Sequence, residues 1–298
     1  MVFGSHAAVC SRCGTAFVES DCRTGVCFAC KQKYDAASVD ALPPYCTLTG
    51  ADDSTDVDRL WEIAREFPFV EWGILFSHSL AGSARYPSMK WLESLYRRCR
   101  NGSPPNLALH VCGTQAISEF LSGEGKVFGY LWTIFRRLQI NLVADKSDLS
   151  AVRSAIRRHD HQTVITQHNA ANSGLWRSLS DLPNHAVLFD ESGGRGAVRD
   201  NWPAPLSITK ERLPFEAHDP DCGYAGGLGP GNLSAMLPCI HAAAAGKRYW
   251  VDMESSLRDS GGGFDLEKVV ACLHVAKEFM DSVGLVSSLP QRPTFLSR

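Results

Sequence analysis

Four cysteines near the start of the chain stand at a spacing that suits a metal ion: Cys10-x-x-Cys13, thirteen intervening residues, then Cys27-x-x-Cys30. A two-residue spacer lets both thiolates of a pair reach one ion from a tight turn. Two such pairs complete a closed tetrahedral site of the zinc-ribbon kind. Gly14 and Gly25 stand where turns around sulfur need them. About forty residues supply little core, so a structural zinc would provide the folding energy of this module. With four thiolates bound there is no open position for water, and no catalysis is expected there. Cys22 is a spare thiol, either a neighbour or a substitute ligand. The competing reading is a set of ordinary free cysteines in a disordered tail.

A second set of reactive groups is dispersed. Asp190 and Cys46 could form an acid/base pair. A half-buried carboxyl has a raised pKa and can protonate an oxygen, while a thiolate near Arg85 has a lowered one and can take a proton from carbon. Taken alone, a cysteine in a strand is more often core. Gly226-Gly227 would let the backbone approach a ligand, and the following GPGNLSAML opens a helix whose N–H groups could hold an anion; tight turns alone are the simpler account. His110, His168, Asp190 and Glu254 are residue types able to bind a divalent ion, or to line a polar cleft with hydrogen bonds.

These residues need a scaffold that gathers them. After Pro43-Pro44, short apolar runs alternate with helical patterns. Strands are expected at 44–49, 70–76, 107–112, 139–144, 163–168, 185–190, 222–226 and 249–253. Helices are expected at 56–67, 88–99, 126–137, 148–158, 231–245 and 265–280, the last N-capped by Asp265. Eight strands alternating with helices fit an α/β fold of the (β/α)8 TIM-barrel class, whose reactive groups collect at the carboxyl ends of the strands. An open doubly wound sheet shares the alternation, but no Gly-rich phosphate turn follows the first strand. The expected organisation is a small four-cysteine zinc module over 1–42, the barrel over 43–285 and a tail over 286–298. The stretch at 193–221, Pro-rich and charged, is long enough to be a functional loop.

Composition narrows the partners. A formal net charge of −2 creates no field toward nucleic acid. Residues 1–42 balance four basic side chains (Arg12, Arg23, Lys31, Lys33) against four acidic ones (Glu19, Asp21, Asp35, Asp40), so the module offers phosphate no basic patch and suits docking to a protein better. No run of about 18 apolar residues appears, so no membrane partner is expected. The first residues lack the pattern of a signal peptide, and the expected location is the cytoplasm. Eleven cysteines in a reducing compartment again favour metal over disulfides.

Five segments, in order, resemble phosphoribosylanthranilate isomerase, a (β/α)8 barrel that catalyses an Amadori rearrangement of an aminated ribose phosphate. CTLT at 46–49 resembles its strand-1 Cys-Gly-x-Thr, SARYPS at 83–88 its Ser-Pro-Arg-Tyr, and LFDESGGRG at 188–196 its strand-6 Asp and Gly-Gly-x-Gly run. AGGLGPGNL at 225–233 resembles its Ala-Gly-Gly-Leu-x-Pro-x-Asn phosphate turn, and VDMESSLRD at 251–259 its strand-8 turn. The resemblance implies Cys46 as general base and Asp190 as general acid. It implies Arg85 on a substrate carboxylate, with Gln167, His168, Gly193, Gly194, Gly226, Gly227, Asn232, Glu254, Ser255 and Arg258 around a phosphorylated or anionic small molecule. It implies no cofactor in the barrel. Thr47 departs from the family's glycine, and Glu254, Ser256 and Arg258 depart from its Ser, Gly and Glu. Two other classes stay open: a metal-dependent barrel hydrolase or lyase using His110, His168, Asp190 and Glu254, and a non-catalytic small-molecule-binding barrel.

Overall fold

In the computed structural model the described residues are 7–9, 16–18, 45–101, 103–124, 131–143, 147–191, 201–208 and 217–285. The chain divides into two units, Met1–Leu42 with Ser287–Arg298, and Pro43–Val286. In the first, β1 (Ala7–Val9) pairs antiparallel with β2 (Ala16–Val18), Val9 opposite Ala16. Cys10, Cys13, Cys27 and Cys30 lie outside the described residues, as does the tail from 286.

The second unit is a closed barrel of parallel strands: β3 (Cys46–Thr49), β4 (Val70–Phe76), β5 (Asn106–Val111), β6 (Arg137–Ile140), β7 (Thr163–His168), β8 (His185–Phe189), β9 (Asp221–Ala225) and β10 (Tyr249–Met253). Closure comes from β10 against β3, with Val251 opposite Cys46 and Met253 opposite Leu48. Among the described residues, six helices accompany the strands: α1 (Val57–Glu66), α2 (Met89–Arg100), α3 (Thr114–Ser122), α4 (Leu149–Arg158), α5 (Leu233–Ala244) and α6 (Leu266–Ser282). Four of them start on a side-chain cap, with Asp56, Ser88, Asp148 and Asp265 accepting backbone N–H groups. Each cap contributes about 1 kcal/mol.

One connection differs from expectation. The helix expected over 126–137 is displaced: α3 stands earlier, Leu131–Ile134 is a 3₁₀ turn, and Arg137 already belongs to β6. α3 is hard to see in sequence because Gly113 caps it without a side chain and it buries just Ala116 and Phe120. Between β7 and β8, where no helix is expected, the described residues form a 3₁₀ turn at Leu175–Leu179.

Alternation along each strand sends one residue toward the helices and the next toward the barrel axis. On β4, Trp72 faces outward and donates its indole N–H to Leu60 O of α1, at 3.2 Å. Its neighbour Glu71 faces inward, where Thr47 donates to it at 2.8 Å and Arg137 pairs with it at 3.2 Å. The Arg137 guanidinium lies 4.0 Å from the centre of the Trp250 ring. Gly223 makes room for that ring, since a Cβ there would collide with the indole. The base of the barrel is therefore an ion pair capped by an aromatic face. Burial pushes the Glu71 carboxyl up, opposed by the charge of Arg137 and the Thr47 hydroxyl.

Removing one partner of such a pair strands a buried charge. Arg137→Met is expected to cost about 3–5 kcal/mol in urea unfolding. The double variant Arg137→Met/Glu71→Leu should recover most of that loss. A double variant as unstable as the single one would refute the charge argument.

Candidate active site

The next layers along the same strands form a cavity of about 620 Å3 at their carboxyl ends. His110, Gln139 and Asp252 form its floor, packed about Thr49 and Gly73. Gly73 is required here because a Cβ would collide with the Thr49 hydroxyl. Above the floor, Leu75, Cys112, Asn141, Gln167, Leu188, Asp190 and Glu254 continue the inward faces, and Arg85, Tyr86, Gly226, Gly227, Ser255 and Ser256 also line the cavity.

Three carboxyl groups share this space. Asp252 accepts the Thr49 hydroxyl at 3.0 Å. Burial pushes its carboxyl well above the usual range, reinforced by the charge of Glu254 and, more weakly, by Glu71 and Asp190. His110 Nε2 stands 3.9 Å from Asp252 Oδ2. Burial, with the charge of Arg137, pushes the His110 imidazole down to about 3. Burial thus works against charge on both side chains, and against an ion pair between them. Burial likewise raises Glu254, against the opposing charges of Arg85 and Arg258. Asp190, just past β8, accepts the amide N–H of Gln167 at 3.3 Å.

The rim is held by a strained arginine. Arg85 has φ of 75°, its backbone N–H donates to Asp52 at 3.1 Å, and its guanidinium pairs with Glu254 at 3.1 Å. Burial alone would raise Asp52, but donors from Ser54, Arg85 and Arg258 outweigh it and hold its carboxyl low. Opposite, Gly226 (φ 118°) and Gly227 (φ 62°) turn the chain away from β9 into α5.

Several residues expected at the site are elsewhere. Cys46 is the first residue of β3, at the amino end, and is fully buried on the helix-facing side with Cys272 of α6 nearby. Burial pushes its thiol well up. The inward residue at the carboxyl end of β3 is Thr49, so no strand-1 thiol faces Asp190. His168 alternates with Gln167 and turns its ring to Phe189, centroids 5.2 Å apart, off the cavity wall. Asn232 braces the glycine turn, accepting from Gly229 N at 2.9 Å and donating to Gly227 O at 2.8 Å, without lining the cavity. Arg258 is also absent from the wall. It pairs with Asp52 at 3.0 Å and donates to Gly50 O at 2.6 Å, bracing the loop after β3. Gly193 and Gly194 lie outside the described residues. The cavity does bring together Asp190, Arg85, Gln167, Gly226, Gly227, Glu254 and Ser255.

Sequence reasoning assigned no role to Asp252, Gln139, Asn141 or Cys112, and it weighed His110 as a metal ligand or a cleft residue. The alternation of Arg137, Gln139 and Asn141 with Leu138, Ile140 and Leu142 carried the signal for the β6 residues: every second position polar on an apolar strand.

No family model matches the chain, and no curated protein matches it by sequence. Its structure is similar to the phosphoribosyl anthranilate isomerase of Thermus thermophilus, at 16% identity, covering 79% of this chain and 99% of that one with a TM-score of 0.50. The chain folds as a TIM barrel. N-(5′-phosphoribosyl)anthranilate isomerase of Pyrococcus furiosus (14% identity, 79% and 99% covered, TM-score 0.45) also matches. So does phospho-2-dehydro-3-deoxyheptonate aldolase of Thermotoga maritima (12%, 80% and 70%, 0.47). Among the described residues of this TIM barrel, no three His, Cys, Asp or Glu side chains are grouped to hold a metal ion, and no helix is long and apolar enough to cross a membrane.

The raised carboxyl has a signed consequence. A group whose folded pKa lies above its unfolded value contributes stability that is present below the unfolded pKa and lost as pH rises through the folded one. Asp252→Asn removes that titration. Its stability relative to the parent should rise between pH 4 and pH 8, by on the order of 1 kcal/mol or more. Denaturation midpoints of both proteins across that range check it, and a pH-independent difference would contradict a raised Asp252.

Proposed function

We propose that the chain is an isomerase of the phosphoribosylanthranilate isomerase type, or a close relative with another substrate, moving a proton along the carbon chain of a small anionic molecule. The observation that carries this reading is the convergence of Asp190, Asp252 and Glu254 on one cavity, each with different neighbours. Asp252, buried and held protonated, is the general acid that delivers a proton to a sugar oxygen. Asp190, which accepts the Gln167 amide N–H, is the base that takes a proton from carbon. This assignment moves the base from Cys46 to a carboxylate and reverses the role that the resemblance implied for Asp190. At the rim, an anionic substituent takes over the Arg85 guanidinium from Glu254, beside the Gly226-Gly227 turn.

Turnover of N-(5′-phosphoribosyl)anthranilate tests this reading. Asp190→Asn and Asp252→Asn should each lower kcat/KM by roughly 10²–10⁴-fold, while Cys46→Ala should leave it within a few-fold. Loss of turnover in a folded Cys46→Ala protein would restore the thiol, and no turnover in the parent would send the chemistry to another substrate.

We also propose that the two cysteine pairs hold one structural zinc in a module that docks a protein partner. The antiparallel pairing of β1 and β2 supports this, because Cys10 and Cys13 stand in sequence between two strands that lie side by side, and a two-residue spacer suits two thiolates on one ion. Elemental analysis of the full chain should find about one zinc per molecule, lost in Cys13→Ser/Cys30→Ser. Zinc retained in that double variant would exclude this ligand set.

A further inference from the structure

The floor of the cavity contains polar atoms that the protein itself leaves without partners. His110 Nε2 and Gln139 Oε1 are buried and make no hydrogen bond to the described residues, although the two side chains are just 3% and 4% exposed. Both side chains line the cavity. The Gln139 amide is oriented by its own chain: its N–H donates to Asn141 Oδ1 at 3.2 Å, and the Asn141 amide donates to Cys112 Sγ at 3.1 Å. The free Gln139 atom is thus the acceptor. Buried polar atoms are almost always satisfied, so two orphans facing one cavity mark where a guest group belongs.

We propose that this floor is a hydroxyl-binding subsite, in which His110 Nε2, Gln139 Oε1 and the Asp252 carboxyl take a hydroxyl of a polyhydroxylated substrate. The inference deepens the isomerase reading and rests on its placement of substrate in this cavity. The 3.9 Å between His110 Nε2 and Asp252 Oδ2 is too long for a direct bond, and one oxygen seated between them can stand about 2.8 Å from each. A hydroxyl both donates and accepts, which the acceptor of Gln139 and the mixed pair His110 and Asp252 require. An anion is disfavoured at this depth by the carboxyl groups of Asp190 and Glu254 on the wall above. An ammonium is disfavoured by Arg137 directly beneath, whose charge reaches His110. Phosphate or carboxylate therefore stays at the rim with Arg85, and the hydroxylated carbon chain points down the barrel axis.

Saturation-transfer NMR on the full chain tests this, with ribitol as the neutral probe and inorganic phosphate as a separate anionic one. Ribitol should bind the parent. Gln139→Leu and His110→Phe should each weaken it about tenfold or more, with phosphate binding unchanged. Gln139→Leu conserves volume and removes an orphan, so it stays folded and decides the matter if His110→Phe does not. No ribitol signal with the parent, or equal affinity in parent and Gln139→Leu, would overturn the subsite. Ribitol binding without phosphate binding would leave the subsite standing and remove the anionic rim from the proposed function.

Discussion

Arg137 and Glu71 meet at 3.2 Å in the buried interior of the barrel, with the Thr47 hydroxyl donating to the same carboxylate oxygen and the Trp250 ring lying against the guanidinium. At an effective dielectric near 20, unit charges about 4 Å apart interact by about 4 kcal/mol, enough to govern the ionisation of anything close by. The pair sits one layer below His110, Gln139 and Asp252. Its guanidinium helps keep the imidazole uncharged, and its carboxylate helps keep Asp252 protonated. Burial sets the electrostatic character of the cavity floor, and this pair, which no ligand touches, reinforces it from beneath.

From that floor to the rim the pocket changes character. The floor is neutral and polar. The middle carries Asp190 with an amide donor, and the rim carries a half-exposed ion pair, Arg85 with Glu254, the arginine held in a positive-φ conformation by Asp52. Asp52 is itself locked by Arg258, which also ties down Gly50, so a network behind the wall positions a cation at its edge. Glu254 is then both a neighbour that raises Asp252 and the group that neutralises Arg85.

The eight strands were legible because each is a short apolar run bounded by turn or helix signals, and observed strands start and stop within a few residues of those runs. α3 was not legible, since glycines at both ends replace the side-chain cap that marks most of the other helices. Asp190, Arg85 and the glycine turn could be located because their neighbours form distinctive strings. Cys46 could not be placed correctly, because a strand alternates faces at every residue and a local motif carries no register. Sliding the Cys-Gly of the resembled pattern three residues puts Thr49-Gly50 at the top of β3, where the inward face lies. Gln139 and Asn141 were legible in principle from their period of two, but the buried Arg137 that opens the same series disguised the start of the strand.

Replacing a thiol with a carboxylate changes what the site must do. Carboxylates, with an ordinary pKa near 4, are far weaker bases than thiolates near 8.5, and they abstract a proton from carbon with difficulty unless something strengthens them. In the proposed reaction the substrate itself supplies that: once Asp252 has protonated the sugar oxygen, the opened imine withdraws electrons from the neighbouring carbon, and its proton becomes acidic enough for a carboxylate to take. The proposed order is therefore protonation of oxygen, then removal of the proton from carbon by Asp190, which faces the same cavity. With no thiol on the barrel axis at β3, this sequence depends on burial of Asp252, which the layer of Glu71 and Arg137 below it maintains.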